Sequence, residues 1–428
     1  YNNYKVNFYY QTKFSEKNVL SADINWNGTK STGDDFYREH NGDGYLYENS
    51  QLTDNQNNSL NAQVNFEQQL KKVKFEEGYR FYWQNSKNDS RINGTLNSSD
   101  YDDWRNYFYV NALGNIIPKI AYQAGAGFDM AKTLNSNTYL PDKKISNIFN
   151  ELTPNAMLRY FITDGQNLTL DYNFTRQTPS SSAMDPTPIY TDSVRIITGN
   201  PDLKSYYINR ARLSYEFYKS VLYFNLSLQH NRANNYVTQT ESLDDNGIYH
   251  IGYTNASSYS STTAALNFSI TLFKIWRIMG YGAMNYYSYK DKNRLQLNKN
   301  FWVPSLFWLQ NMVNYKKMSV NLFYMPYLRI ATLTGYNSYG GETQLTANYM
   351  LNSSWSLNAS VRYLFPIKLK SETYNGVFSE VYYNNKTERY MRVILGVRYS
   401  FRKGKQQDYR QKKSKQYDDN IDIETKKY

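Results

Sequence analysis

The sequence predicts an all-β fold, a transmembrane antiparallel β-barrel, and three observations support that prediction. Apolar and polar side chains alternate along many segments, which gives each strand one apolar and one polar face. The polar face is rich in Asn, Ser, Thr and Gln, each of which costs about 1–3 kcal/mol if left unpaired in a dry core but is tolerated in a water-filled lumen. Short connections alternate with long polar ones, as they do at the two ends of membrane barrels.

The clearest alternating segment is the last one, residues 391–401. Every second side chain from Met391 is apolar, whereas Arg392 and Arg398 lie on the opposite face. We expect the apolar stripe to face lipid and the arginines to face the lumen. The same alternation occurs in six further segments, residues 4–10, 60–67, 167–174, 222–229, 264–272 and 355–365.

The composition agrees with a barrel and argues against helical membrane proteins. Mean hydropathy is −0.75, the hydrophobic fraction is 40%, and no stretch approaches the roughly 18 apolar residues of a membrane helix. A membrane strand needs about 9–11 residues with only alternate positions apolar, so low hydropathy is expected. The 45 Tyr, 21 Phe and 7 Trp suit a membrane–water boundary. The absence of cysteine excludes disulfides and thiolate metal sites.

The net charge of +12 does not indicate nucleic-acid binding, because the basic residues are scattered. Residues 403–428 are rich in charge and poor in apolar residues, so we expect a disordered periplasmic tail. Residues 1–402 are predicted to form the barrel portion. The chain begins inside a strand pattern, so we expect it to be the C-terminal part of a longer protein.

The spacing of turns predicts the number of strands. Eight short turns imply sixteen strands, and the strand ending at Phe401 makes about seventeen. An odd number that starts at a short turn leaves the first strand without a partner, so this segment should not close by itself. The short turns are predicted at 14–17, 69–72, 114–118, 163–166, 218–220, 273–275, 315–317 and 351–354. Long polar loops are predicted at 29–56, 88–103, 134–146, 178–203, 231–253 and 291–301.

One stretch resembles a known family. Residues 176–203 end in the motif Gly199-Asn200-Pro201-x-Leu203, followed by a strand at 209–217. This arrangement resembles the outer membrane protein beta-barrel family, which forms the C-terminal barrel of TonB-dependent receptors. Ser205 and Tyr206 stand where the family usually has Pro and Glu.

The last strand resembles the assembly signal that the barrel-assembly machinery recognises. Gly396, Tyr399 and Phe401 match that signal, whereas Ile394 replaces a polar residue and 27 residues follow Phe401. The match implies the assembly machinery and outer-membrane lipid as partners.

The resemblance implies a 22-strand barrel in the cell outer membrane, with an N-terminal plug domain and a box that contacts TonB. It also implies import of a scarce ligand such as an iron chelate, cobalamin or a glycan. About five strands, the plug and the box would then precede Tyr1.

The alternative is a barrel that binds without transport, such as an adhesin or the scaffold of a surface complex. No enzymatic activity, cofactor or nucleic-acid partner is predicted. Inward Arg362, Arg392 and Arg398 are expected to pair with plug or wall carboxylates.

Aromatic residues in the predicted external loops are the candidate ligand-binding residues, because aromatic faces beside Asn and Asp suit sugars or chelates. For any single aromatic residue, an interfacial girdle remains the favoured explanation, since it uses the same residues at the same height. The candidates are Tyr37, Tyr101, Trp104, Tyr190 and Tyr249. Other aromatic residues beside these loops include Tyr236, Tyr253 and Trp302.

Catalytic and metal sites are not assigned. The histidines are His40, His230 and His250, of which the last two flank one loop and could approach each other. Their pattern is generic and does not indicate catalysis. Residues 34–44 offer oxygen donors but lack the terminal bidentate Glu of a calcium loop. Asp100, Asp102 and Asp103 are an equally weak indication of a metal site.

Overall fold

The computed structural model describes residues 2–41, 44–138, 145–290, 298–331, 335–364, 369–374, 379–384 and 391–401. This part of the chain forms one 21-stranded sheet and a four-residue helix. In the first half, the elements are β1 (Asn2–Ser15), β2 (Asn18–Asn41), β3 (Gly44–Leu70), β4 (Val73–Ile92), β5 (Thr95–Ile117), β6 (Ile120–Asn137), β7 (Ile145–Thr163), β8 (Gln166–Gln177), α1 (Ser181–Met184), β9 (Ile189–Asp192) and β10 (Arg195–Ile197). The second half contains β11 (Tyr206–Lys219), β12 (Leu222–Leu243), β13 (Tyr249–Leu272), β14 (Trp276–Lys290), β15 (Lys299–Tyr315), β16 (Met318–Ala331), β17 (Gly335–Met350), β18 (Trp355–Arg362), β19 (Leu369–Tyr374), β20 (Ser379–Asn384) and β21 (Arg392–Tyr399).

The long strands form an antiparallel meander. β1–β8 pair in chain order, β8 pairs with β11, β11–β18 pair in chain order, and β18 pairs with β21. This gives the roughly seventeen wall strands that the turn spacing predicts. The short pairs β9–β10 and β19–β20 are insertions that leave the ladder continuous.

The predicted short turns are confirmed. β1 and β2 are joined at Glu16-Lys17, β3 and β4 at Lys71-Lys72, and the six later connections also fall at or within two residues of the predicted ranges. Lys71, Ser220 and Lys316 adopt positive φ values of 50°, 48° and 51°. Positive φ matches the turn to the right-handed twist of the two strands it joins.

The predicted long loops are wrong at several places, because the strands continue through them. The β2–β3 ladder runs from Asn18–Gln68 to Asn41–Gly44, and the β4–β5 ladder reaches Ile92–Thr95. The β12–β13 ladder likewise reaches Leu243–Tyr249. Backbone pairing does not need an apolar face, so a polar hairpin can extend a strand beyond the point where apolar alternation stops.

The two faces of the sheet are inverted relative to a soluble protein. On β6, alternate polar residues from Gln123 to Asn137 are buried, whereas Phe128 is exposed. On β7, Ile148 and Leu152 are 68% and 61% exposed while Thr153 is buried. The predicted apolar outer face and polar inner face are therefore confirmed.

The sheet is strongly curved. The segment 178–205 between β8 and β11 touches β2 through β9 and β13 through α1. These strands are far apart in the meander, so one short segment reaches both only if the polar face is concave. The segment therefore lies inside the curve.

The sheet has two edges in the described part of the chain. β1 pairs only with β2, β21 pairs with β18, and no ladder joins β1 to β21 among the described residues. The expected upstream partner strands remain a prediction, and the predicted tail at 403–428 lies outside the described residues. No described helix has the length and apolar character needed to cross a membrane.

Candidate ligand-binding site on the concave face

The segment 178–205, which we call the inserted loop, is held by a small apolar cluster. Its residues Ala183, Met184 and Leu203 pack with Tyr101 of β5, and Leu203 is 1% exposed. Val237 of β12 and Tyr253 of β13 pack against the same cluster. The inserted loop thus bridges two distant parts of the concave wall.

The family motif supplies the hydrogen bonds that shape this loop. The Gly199 N–H donates to the Asp185 carbonyl at 2.9 Å, and the Asn200 N–H donates to the Ala183 carbonyl at 2.7 Å. The Asn200 amide also donates to the Tyr253 carbonyl of β13 at 3.0 Å. A Cβ on Gly199 would lie 2.3 Å from the Asp185 carbonyl oxygen, so this close approach requires glycine.

Asp185 anchors the other side of the loop. Its Oδ2 accepts from the Asn88 amide of β4 at 2.9 Å, and its Oδ1 accepts from the Asn137 amide of β6 at 3.0 Å. Oδ1 also accepts from the Thr187 N–H at 3.0 Å. Donors from two wall strands and from the loop itself therefore surround this buried carboxylate, which fixes the height of the loop.

A charged cluster lies on the wall beside the loop. Arg105 Nε lies 2.8 Å from Asp129 Oδ1, and Arg176 Nε lies 3.5 Å from Asp129 Oδ2. Arg176 also lies 4.0 Å from Asp103. Asp129 is fully buried, so the two guanidinium groups offset much of the cost of removing its charge from water. Arg105 and Arg176 are not among the three arginines for which the sequence predicts such pairing.

The arginines near the last strand have a different setting. Arg362 stands directly opposite Arg392, and Arg398 stands opposite Ser356. Among the residues that the structure describes, no carboxylate pairs with these three arginines. Their pairing with a plug domain stays a prediction.

The main candidate site is an aromatic surface across five adjacent strands, which we call the mouth patch. The ring centroids of Tyr236 and Tyr259 are 4.4 Å apart, and those of Tyr259 and Tyr289 are 5.1 Å apart. The backbone of Asn235, which precedes Tyr236, is in the left-handed conformation with a φ of 56°. The mouth patch comprises Tyr206, Tyr236, Tyr259, Tyr287, Tyr289 and Phe301.

The strand register places the mouth patch on the concave face. Tyr287 pairs with Ser261 on one side and with Phe301 on the other. Ser261 is buried, as are Asn285 and Val303, which lie two positions along the same faces. Successive side chains alternate between faces, so Tyr259, Tyr287, Tyr289 and Phe301 line the inside of the curve. Tyr236 pairs with Ala256 and joins them by ring stacking, after the left-handed Asn235 has interrupted the alternation of β12.

The neighbouring aromatic pair faces the opposite way. Tyr286 pairs with Trp302, their ring centroids are 4.9 Å apart, and Trp302 is 65% exposed. Because side chains alternate between the two faces of a strand, Tyr286 and Trp302 lie on the convex face, as residues of an interfacial girdle would, whereas the mouth patch lies on the concave face. The sequence places both in one run of aromatic residues and does not distinguish them.

Burial raises the pKa of Tyr206 and of Tyr259 to about 12. Both lie 13 residues from the short-turn ends of β11 and β13, beyond the roughly 10 residues that cross a membrane. Their hydroxyl groups remain protonated at neutral pH. The mouth patch thus offers flat apolar faces with hydroxyl donors and acceptors at their edges.

The aromatic residues proposed from the sequence lie elsewhere. Tyr101 and Tyr249 are 5% and 4% exposed; the first supports the inserted loop and the second lies 5.8 Å from the Arg195 guanidinium. Trp104 occupies the opposite parity of β5 from Tyr101, and Tyr190 is half-buried in β9. The side chain of Tyr37 lies outside the described residues. A ligand role for these residues stays a prediction.

The histidines do not assemble into one site. His230 Nδ1 lies 2.9 Å from Thr262 Oγ1, whereas His250 Nε2 lies 3.1 Å from Asp244 Oδ2 near the other end of the same hairpin. The side chain of His40 lies outside the described residues. The described part of the chain contains no cluster of three or more possible His or carboxylate metal ligands.

Comparisons with known proteins agree on the fold. The family model for the outer membrane protein beta-barrel family matches residues 12–407. A comparison with curated protein sequences finds no match.

Three solved structures illustrate the likeness. The copper transporter OprC has a TM-score of 0.70 at 11% identity, covering 93% of this chain and 65% of its own. The siderophore receptor PiuA from Acinetobacter baumannii has a TM-score of 0.68 at 11% identity, covering 93% and 64%. The ferric citrate transporter FecA has a TM-score of 0.68 at 12% identity, covering 92% and 61%. The chain thus spans less than two thirds of the length of each structure.

Proposed function

The chain belongs to the outer membrane protein beta-barrel family, and on that premise we propose that it is the barrel portion of a TonB-dependent receptor that captures a scarce ligand at its external mouth. The family resemblance drawn from Gly199, Asn200, Pro201 and Leu203 is confirmed. The protein lies in the cell outer membrane, where the convex apolar face meets lipid and the concave polar face lines the lumen.

The observation that carries this proposal is the mouth patch. Its rings lie on the lumenal face, beyond the residues needed to cross the membrane, and beside the inserted loop. A nucleic-acid base stacked on an aromatic side chain contributes about 1–3 kcal/mol, and we expect a flat ligand stacked on these rings to gain a similar amount. A ligand held there would lie inside the external part of the lumen.

Capture and entry of the ligand would involve the mouth patch, the inserted loop and a plug domain. The mouth patch binds the ligand, and the tyrosine hydroxyls orient it through hydrogen bonds. The inserted loop narrows the lumen on the external side of the patch, because its contacts with Val237 and Tyr253 lie 15 and 19 residues from the short-turn ends of β12 and β13, whereas the mouth-patch residues lie 11–14 residues from theirs. A plug domain would then control passage, and contact with TonB would supply the energy. The structurally similar proteins include a copper transporter and a siderophore receptor, which supports a transport role.

A transport assay with a matched pair of variants tests the proposal. Tyr287→Ala removes a ring from the mouth patch, whereas Tyr286→Ala removes the adjacent ring from the convex face. Cells expressing the full receptor, with and without TonB, are supplied with radiolabelled ferric citrate, cobalamin or maltohexaose. We expect TonB-dependent accumulation of one compound to fall about tenfold for Tyr287→Ala, since loss of one stacked ring weakens binding by about that factor.

The control and the alternatives have distinct outcomes. Tyr286→Ala should transport like the unmodified receptor. Binding without TonB-dependent accumulation would replace the transport role with the non-transporting adhesin or scaffold. Equal losses in both variants would remove the mouth patch as the capture site.

A further inference from the structure

The barrel wall is split between two of its strands. The β15–β16 ladder contains seven pairs, from Tyr315–Met318 to Leu309–Tyr324, although β15 continues to Lys299 and β16 to Ala331. In this register Pro326 would stand opposite Phe307, and proline has no N–H to continue the ladder. The described parts of β15 and β16 share no further pair.

The split begins inside the membrane. Leu309 is six residues from the periplasmic end of β15, which corresponds to about 20 Å along the strand and about 15 Å in height at a tilt near 40°. The apolar band of such a barrel is about 25 Å tall. Unpaired strand edges are not tolerated in bare hydrocarbon, so the split needs a specific occupant.

An apolar groove lies on the convex face at the foot of the split. Its volume is about 530 Å³, within the range of small-ligand sites. Ala264 and Gly282 form a low floor, and the Phe307 ring lies so close to Gly282 that a Cβ there would approach it to 2.8 Å. The lining contains no charged residue. Half-exposed walls are formed by Leu226, Leu266, Met284, Leu309 and Tyr324.

The groove leads from an apolar region to a polar one. Its upper end is lined by Phe307 and Pro326, the two residues at which pairing stops. Above them, the facing edges of β15 and β16 present backbone N–H and C=O groups that make no ladder bonds to each other. A linear apolar chain fits below, and a polar head group with hydrogen-bonding oxygens fits above.

We propose that this groove binds one acyl chain of a glycerophospholipid, with the lipid head group seated in the split. The apolar chain covers the low floor between the half-exposed walls. The head group supplies hydrogen-bond partners to the open strand edges, which hydrocarbon cannot do. A second copy of the protein is disfavoured because the floor lies between half-exposed side chains, out of reach of a flat apolar face.

Native mass spectrometry of the full chain, purified from phosphatidylglycerol vesicles into mild detergent, tests the site. We expect one phosphatidylglycerol to be retained per chain. Ala264→Trp fills the floor and should lower that retention at least tenfold. Ala124→Trp, an equal change at an exposed convex position of β6, should leave it unchanged.

A second variant tests the role of the split. It also keeps the proposal testable if Ala264→Trp does not fold. Pro326→Ala restores an N–H opposite Phe307, so the ladder can extend and retention should again fall at least tenfold. Amide exchange near residue 307 should slow in the same variant. Equal lipid retention in Ala264→Trp and Ala124→Trp would overturn the proposal. So would a dimer mass that is lost in Ala264→Trp, which would assign the groove to a second copy.

Discussion

At the residue scale, Gly199 shows why one position of the family motif does not accept a side chain. Its N–H bonds the Asp185 carbonyl, and the neighbouring Asn200 bonds both Ala183 and Tyr253. The sequence identifies these residues as a motif but assigns them no role. The structure gives them one, which is to hold the inserted loop against β13.

Gly199→Ala should release the inserted loop. The added Cβ would meet backbone atoms that cannot move independently, so we expect the free energy of local opening to fall by about 2–3 kcal/mol. Hydrogen exchange of amides 183–203 measures that change. Lys204→Ala is the control, because the bonds from Lys204 to Asn255 use its backbone N–H and carbonyl. Similar exchange in the two variants would contradict this account of the motif.

Alkaline pH should loosen the mouth patch. Burial raises the pKa of Tyr206 and Tyr259 from an ordinary value near 10 to about 12. The unfolded state therefore loses these protons first, so the stabilising contribution is complete below about pH 10 and is lost as pH rises through about 12. Near-ultraviolet absorbance should show two tyrosine populations. Tyr259→Phe should remove part of the later one, and an unchanged titration would contradict its burial.

At the element scale, strand parity decides what each side chain does. β21 places Val393, Leu395 and Val397 on the exposed convex face and Arg392 on the other. The same rule separates Tyr286 from Tyr287 on β14. Alternation is a local property, which explains why it is readable from the sequence.

Leu395→Arg should block membrane insertion of β21. Leu395 is 77% exposed on the convex face, and a charge near the bilayer centre costs about 2–4 kcal/mol. Arg392→Gln removes a charge from the lumenal face and should insert normally. Folded and unfolded barrels are separated by gel mobility without heating. If the two variants insert equally well, the assigned facing of this strand is wrong.

At the scale of the whole molecule, the lumen has two unlike walls. β5, β6 and β8 carry the buried cluster of Arg105, Asp129, Arg176 and Asp103. β11–β15 carry the mouth patch. The inserted loop bridges the two walls through Asp185 on one side and Asn200 on the other. A ligand that enters from outside would therefore pass the loop before it reaches the mouth patch and the charged wall.

The sequence alone determined the properties that depend on neighbours along the chain. Apolar alternation and the short turns predicted the fold class, the facing of β21 and about seventeen wall strands, and the motif at 199–203 predicted the family. Polar hairpins such as β2–β3 were missed because backbone pairing there needs no apolar face.

Only the tertiary structure decided what lies inside the curve and where the wall opens. The mouth patch joins residues from 206 to 301, and Asp185 meets Asn88 from nearly a hundred positions away. The β15–β16 split likewise depends on the register that sets Pro326 opposite Phe307. These features arise from curvature and register, which bring together residues whose separation along the chain carries no periodic signal.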